Sequence, residues 1–303
     1  MSCLHDHRDW TGRYGPDDRL GAGNLLTAER RLAALHLVES GALVDLGHVI
    51  ENGAPRIAPN QSPFVINLSN RAESGIRRRR ALGARNDAGT NLERIEMTTH
   101  VGTHIDALGH VTIGEEMYGG RRAGDVLDDF GLLDLGVEHV PPMITRGVCL
   151  DVSGLDGGAH LEAGRSVTRD DLARARDAAK VEIAEGDVVR IHTGWGKHFM
   201  VDNERYVAGE PGIEEDAARW LTGQGVVAIG ADNMAVEVIP NPRHPEIVLP
   251  VHQHTLVEAG VYLIENLELD ELAAQGPAAF CFVLLATKFK GATGCPVRPV
   301  ALR

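Results

Sequence analysis

The chain runs to 303 residues, of which 43% are hydrophobic and 24% charged, with a formal net charge of −13. That much apolar material supports one sizeable core, and the acidic balance argues against nucleic acid or an anionic membrane surface as a partner. No apolar run reaches the roughly 18 residues of a membrane-spanning helix, and the opening Met-Ser-Cys-Leu-His-Asp-His-Arg-Asp lacks the apolar centre of a secretory signal. A cytoplasmic address is therefore expected.

In chain order, Gly21-Ala22-Gly23 follows no strand, so a turn is expected there and not a nucleotide-binding fingerprint. Thr27 is placed to cap a helix running to about Ser40, with Leu32, Leu35 and Val38 on its inner face and Gly41 ending it. A strand follows from Leu43 to Ile50. Arg77 to Arg80, between Gly75 and Gly83, reads as a solvated flexible loop. Thr168-Arg-Asp-Asp171 is a capping box opening a helix to about Ala179, and Asp187 to His192 is the next strand. Trp195 and Phe199 suit an aromatic wall for a substrate as well as plain core packing.

A helix is expected from Ile213 to about Leu221, burying Ala217, Trp220 and Leu221, then a strand at Val226 to Ile229. Asp232, Asn233 and Glu237 follow that strand, where a turn or cap, or the orienting of site groups, is open to them. Gly260 to Ile264 is a buried strand with Glu265 at its end, and Ala278 to Leu285 is the last buried strand. Alternating helices and strands without repeat or linker give a single α/β domain over 1–303, with an extended N-terminal arm over about 1–40.

The most informative stretch is His100-Val-Gly-Thr-His104-Ile-Asp106-Ala-Leu-Gly-His110. Imidazole nitrogen and carboxylate oxygen are the ligands divalent ions prefer. His100 and His104 would share a helix face, whereas His104 and Asp106 would share a strand face. Gly102 and the β-branched Thr103 and Ile105 disfavour a plain helix, so a strand end or tight loop wrapping an ion is expected. Asp106, with two oxygens, is placed to bridge two ions, and His110 to handle protons. Cys3, Cys149, Cys281 and Cys295 form no Cys-x-x-Cys pair, which disfavours structural zinc. No Gly-x-Ser-x-Gly elbow is present.

The pattern His-x-Gly-Thr-His-x-Asp-x-x-x-His resembles the signature of the cyclase-like metal-dependent hydrolases, the family that includes bacterial kynurenine formamidase and isatin hydrolase. Supporting segments are Asp17 to Leu26, Val188 to Trp195, Pro211 to Ile213, Gly225 to Asp232, and His254 to Glu265-Asn266-Leu267. The resemblance implies a mixed-sheet swivelling β/β/α domain and a homodimer. It implies metal ligation by His100, His104 and Asp106, with His254, preferred over His252, and Glu265 completing a second position. It also implies a catalytic His110 and one or two Mn²⁺ or Zn²⁺ ions per subunit. The chemistry implied is cleavage of a C–N bond in a small cyclic amide, an imide or an N-formyl arylamine. Lactone hydrolysis and a non-catalytic metal- or ligand-binding role are the alternatives. Leu108 stands where many relatives have proline, and sequence before residue 45, at about 60–90 and around 113–145 is extra, so the substrate is not transferable.

Overall fold

The computed structural model describes residues 13–276 and 279–303. Its centre is a nine-stranded mixed sheet. The strands lie in the order Leu43–Asp45, Val300–Leu302, Phe280–Leu284, Met143–Asp151, Val188–His192, Ala228–Ala231, Tyr262–Glu265, His104–Asp106 and Gly294–Pro296. The four strands from Met143–Asp151 to Tyr262–Glu265 are parallel, and the flanking pairs are antiparallel. Val188–His192, Ala228–Ala231 and Tyr262–Glu265 are buried throughout, as parallel strands covered on both faces should be. Arg190 interrupts the apolar run in the middle of its strand. Burial pushes its guanidinium down to about 9, while Phe280 and Phe282 cover it at 4.4 and 4.5 Å and the carbonyls of Val148 and Val188 accept from it.

The capping box forms as the sequence implies. Thr168 accepts from the Asp171 amide, the Asp171 carboxylate accepts from the Thr168 amide, and the helix runs Arg169–Ala179. It packs through Leu172 and Ala175 beside a second helix, Glu215–Gly223, which buries Ala217, Ala218 and Leu221. That helix starts two residues later than expected because Ile213 is held in a short parallel pair with Val167. Gly21–Leu25 is a 3₁₀ turn.

Other expectations need correction. Thr27 does cap a helix, but it spans only Ala28–Leu35, and Ala34 is its buried residue. Leu32 and Leu35 face solvent at 58% and 46% exposure. The helix stops early because the Ser40 and Gly41 amides are drawn to the Arg303 carbonyl, beside the last strand. The following strand ends at Asp45, and Gly47 instead bridges Leu267.

Arg77 to Arg80 lie in a helix, Ala72–Ala81, and not in a loop. Arginine is a good helix former, and basic residues in a last turn suit the helix dipole. Arg79 and Arg80 also tie the helix to Ala88, Thr90 and Asp87. This helix joins the two strands of an exposed antiparallel hairpin, Val65–Asn70 and Leu92–Glu96. The last long buried strand is Phe280–Leu284; Ala278 lies outside the described residues. Among the described residues no helix is long and apolar enough to cross a membrane.

Candidate metal centre

The site is built where His104–Asp106 pairs with the end of Tyr262–Glu265. Side chains two apart on a strand share a face, so His104 and Asp106 point the same way. Glu265 stands directly opposite His104 in the register and joins them as a cross-strand neighbour. Gly102 turns the chain back with φ +70°, and a Cβ there would meet the Ile50 side chain at 2.5 Å, so only glycine fits. The turn folds His100 over the strand. Gly294, on the next strand, leaves space for its ring, since a Cβ there would sit 2.6 Å from the imidazole. The Thr103 hydroxyl donates to the Asn266 carbonyl and accepts from the His48 amide, stitching three segments together.

Two trios share Asp106: His100–Asp106–His110 and His104–Asp106–Glu265. In each, one ligand atom per residue lies within 4.8 Å of the others. His100 Nδ1 is 2.9 Å from Asp106 Oδ1, and His104 Nε2 is 3.1 Å from Glu265 Oε2 and 3.5 Å from Asp106 Oδ1. His104 Nδ1 donates to the Gly102 carbonyl at 2.8 Å, which fixes the tautomer that leaves Nε2 facing the carboxylates. The His110 ring stacks on His100 with centroids 4.0 Å apart.

His104 Nε2 and both Asp106 oxygens are buried with no hydrogen-bond partner. Such buried groups are costly unless paired or metal-bound. The donor set of imidazole and carboxylate therefore fits a divalent ion.

The electrostatics agree with a dense, balanced cluster. Burial would drive the His104 imidazole down, but Asp106 and Glu265 outweigh it and hold it at about 10. Burial would raise the Asp106 carboxyl, yet the imidazoles of His110, His100 and His104 keep it well below its ordinary value. Glu265 is likewise lowered, by His104 and His252, against burial and the Asp106 charge. Burial dominates at His110 and pushes it down to about 4.

His100, His104, Asp106, His110 and Glu265 thus come together as the sequence implies. His254 does not. Its Nδ1 meets Glu258 and its Nε2 meets Thr222, each at 2.8 Å. The imidazole in the cluster is His252, with Nε2 3.1 Å from Glu265 Oε1 and 3.6 Å from Asp106 Oδ2. The two histidines lie on a helical segment that starts at Pro250 and continues as a π-helix over Gln253–Ala259. Residues two apart on a helix are about 200° apart around it and cannot face one site. Pro250 signals the helix, because proline favours a first helical position, but not which of the two histidines faces the cluster.

Trp195 and Phe199 are buried in a small core of their own with Tyr206, and Phe199 stacks on His48. Apolar lining near the cluster comes from elsewhere. An open groove of about 860 Å³ is bordered by Ile50, Phe64, Ile95, Met97, Phe289 and Pro296. It adjoins the site, since Pro296 pairs with His104 and Ile50 packs over Gly102.

A further trio, His192, Asp232 and Asp270, also lies within ligand distance. The Asp232 oxygens, however, already accept from Thr193, Gly194 and Gly196. His192 instead bridges Asp151 and Asp270, each at 2.9 Å. Burial lowers its pKa but the carboxylates prevail and raise it from 6.5 to about 10. A proton bound more tightly in the folded state stabilises it fully below pH 6.5 and progressively less as pH rises toward 10. Wild-type stability, from urea midpoints, should therefore fall across that window by about 1–3 kcal/mol more than that of His192→Asn. That range is discounted because both carboxylates are half-exposed. Parallel curves for the two proteins would contradict the assignment.

Comparison with known proteins settles the lineage. A family model described as a putative cyclase matches residues 44–238. The chain belongs to the cyclase family. The matched part contains His100 to His110 and ends before His252 and Glu265. A crystal structure described as a novel cyclase superposes with a TM-score of 0.85 at 29% identity, covering 97% of this chain and 99% of that one. Isatin hydrolase A from Ralstonia solanacearum shares the fold with a TM-score of 0.64 at 20% identity, over 91% of this chain and 98% of that one. Kynurenine formamidase from Geobacillus thermodenitrificans (strain NG80-2) is 26% identical over 86% of this chain and 96% of its own length. The mixed α/β architecture and the family resemblance are both borne out.

Proposed function

We propose that this cyclase-family protein is a metal-dependent hydrolase cleaving a C–N bond in a small cyclic amide, an imide or an N-formyl arylamine. The observation that carries the reading is Asp106: both oxygens buried, neither hydrogen-bonded, and imidazoles and Glu265 on every side. His100, His104, Asp106, His252 and Glu265 would hold one or two ions, Mn²⁺ or Zn²⁺ by their nitrogen and oxygen donors. A bound divalent ion supplies an acidified water and a Lewis acid for a carbonyl oxygen.

The chain's own groups do the rest. His110, stacked on His100 at the edge of the cluster, takes a proton from the attacking water as the new C–O bond forms. It returns that proton to the departing nitrogen as the C–N bond breaks, so the nitrogen leaves protonated, as an amine from an amide or N-formyl arylamine and as an amide from an imide. The apolar groove supports a small, flat or aromatic substrate, its volume being within the range of ligand pockets. Relatives described as isatin hydrolase and kynurenine formamidase support the same bond class.

We read the chain as one domain that works as a homodimer. The exposed hairpin supports this, since it presents Val65, Ile66, Leu68, Leu92 and Ile95 to solvent. Free cysteines at 149, 281 and 295 suit a reducing, cytoplasmic compartment.

The test is a panel of lactams, cyclic imides, formanilides and lactones, assayed with and without added Mn²⁺ or Zn²⁺. Metal-dependent turnover of an amide, imide or formanilide is expected. Turnover of lactones alone would replace this reading with ester hydrolysis, and failure of the whole panel would overturn the substrate class.

A further inference from the structure

Glu237 stands outside the cluster, yet its whole surroundings are arranged to aim it at one cluster residue. It is buried, and its Oε1 lies 2.5 Å from His252 Nδ1. The same carboxylate accepts from the backbone amides of His252 at 3.1 Å and Val251 at 3.3 Å. These amides open the helical turn Pro250–His252, whose N-cap, Leu249, offers no side-chain acceptor and sits at φ +56°. Glu237 therefore caps that turn with both oxygens and holds its histidine ring with one of them, Oε1.

The loop carrying Glu237 is itself pinned. Val236 adopts φ +61°, a conformation a β-branched residue avoids unless its surroundings impose it. The imposing contacts lie at Val236 and just before it. Asn233 accepts from the Val236 amide at 2.8 Å, and the buried Glu210 carboxylate accepts from the Met234 and Ala235 amides, each at 2.8 Å. Strain of this kind persists where a side chain has to be delivered to one place. The place delivered to is His252.

We infer that Glu237 is the positioning residue for His252. By accepting from Nδ1 it fixes the tautomer whose Nε2 lone pair faces Asp106 and Glu265, and so governs a second cation position there. A histidine ligand needs its other nitrogen held by an acceptor, and removing such an acceptor weakens metal affinity without touching the ligand itself. His104 has a backbone carbonyl in this role; His252 has a carboxylate. The inference rests on the metal-site reading above.

Titration of the metal-free full-length chain with Co²⁺ alone, followed by calorimetry and by the visible cobalt spectrum, tests it. Wild type should show two sites. Glu237→Ala should leave one within about threefold of wild type and weaken the other about 10–100-fold, with the matching cobalt bands reduced. Glu237→Gln, which keeps an acceptor oxygen and the shape, should recover much of the loss. His252→Ala combined with Glu237→Ala should lose little more than His252→Ala alone, because the two act as one unit.

Two wild-type sites that Glu237→Ala leaves unchanged, or weakens equally with no recovery in Glu237→Gln, would overturn the inference. A wild type with a single site would overturn it while leaving the hydrolase reading intact. A wild type that binds no cobalt would overturn both.

Discussion

Asp106→Asn is expected to strip the protein of bound cation and to cut hydrolysis by more than about 100-fold, beyond the loss caused when only a ligand-orienting group is removed. Asp106 belongs to both trios, so its replacement takes a candidate ligand from each. Its carboxylate is fully buried between imidazoles and carries much of the negative charge they face. An amide of the same shape keeps the packing and loses the charge. Two measurements check this. Metal content after loading with Mn²⁺ or Zn²⁺ should drop to background, and the rise in Tm that bound metal gives the wild type should vanish. A variant that keeps the wild-type complement of metal would show that the ion sits elsewhere.

His110→Ala should behave differently. Here we expect kcat to fall by about 10²–10⁴-fold, the usual worth of a positioned acid–base group, with metal content unchanged. The ring stacks on His100 and stands 6.2 Å from His252, at the border of the cluster. It also satisfies the distance criterion for a ligand beside His100 and Asp106, so the metal measurement decides its role. Loss of an ion together with activity would make His110 a ligand and leave the proton transfer without an owner. A wild type that binds metal but hydrolyses nothing, with or without His110, would instead favour the non-catalytic reading.

Much of this site was legible in the eleven residues from His100 to His110, because local chain geometry alone brings their side chains together. The strand period aligns His104 with Asp106, and a glycine turn folds His100 back. Glu265 was legible as an acid ending a buried strand. What was not legible was the choice between His252 and His254. Both lie on one helical segment, and which face turns inward depends on Glu237, Glu258 and Thr222, contacts made across the fold. The same holds for the groove, whose walls come from Ile50, Phe64, Met97 and Phe289, in segments distant from one another in sequence.

Local signals were reliable where the backbone itself carried them, as at Thr168 and Asp171. They failed where a distant partner decided. The helix after Thr27 was cut short by Arg303, and the arginine run became helical while tied to residues 87–90. Trp195 and Phe199, for which the sequence leaves a substrate wall and core packing equally open, lie in a core with Tyr206.

The most direct test is an anomalous-scattering map of a crystal grown with Mn²⁺ or Zn²⁺ and no chelator. Density for one or two ions is expected within ligand reach of Asp106, flanked by His100, His104 and Glu265, with His252 and not His254 beside it. A map with no peak at Asp106 after metal loading, or with the peak at His254, would contradict the account.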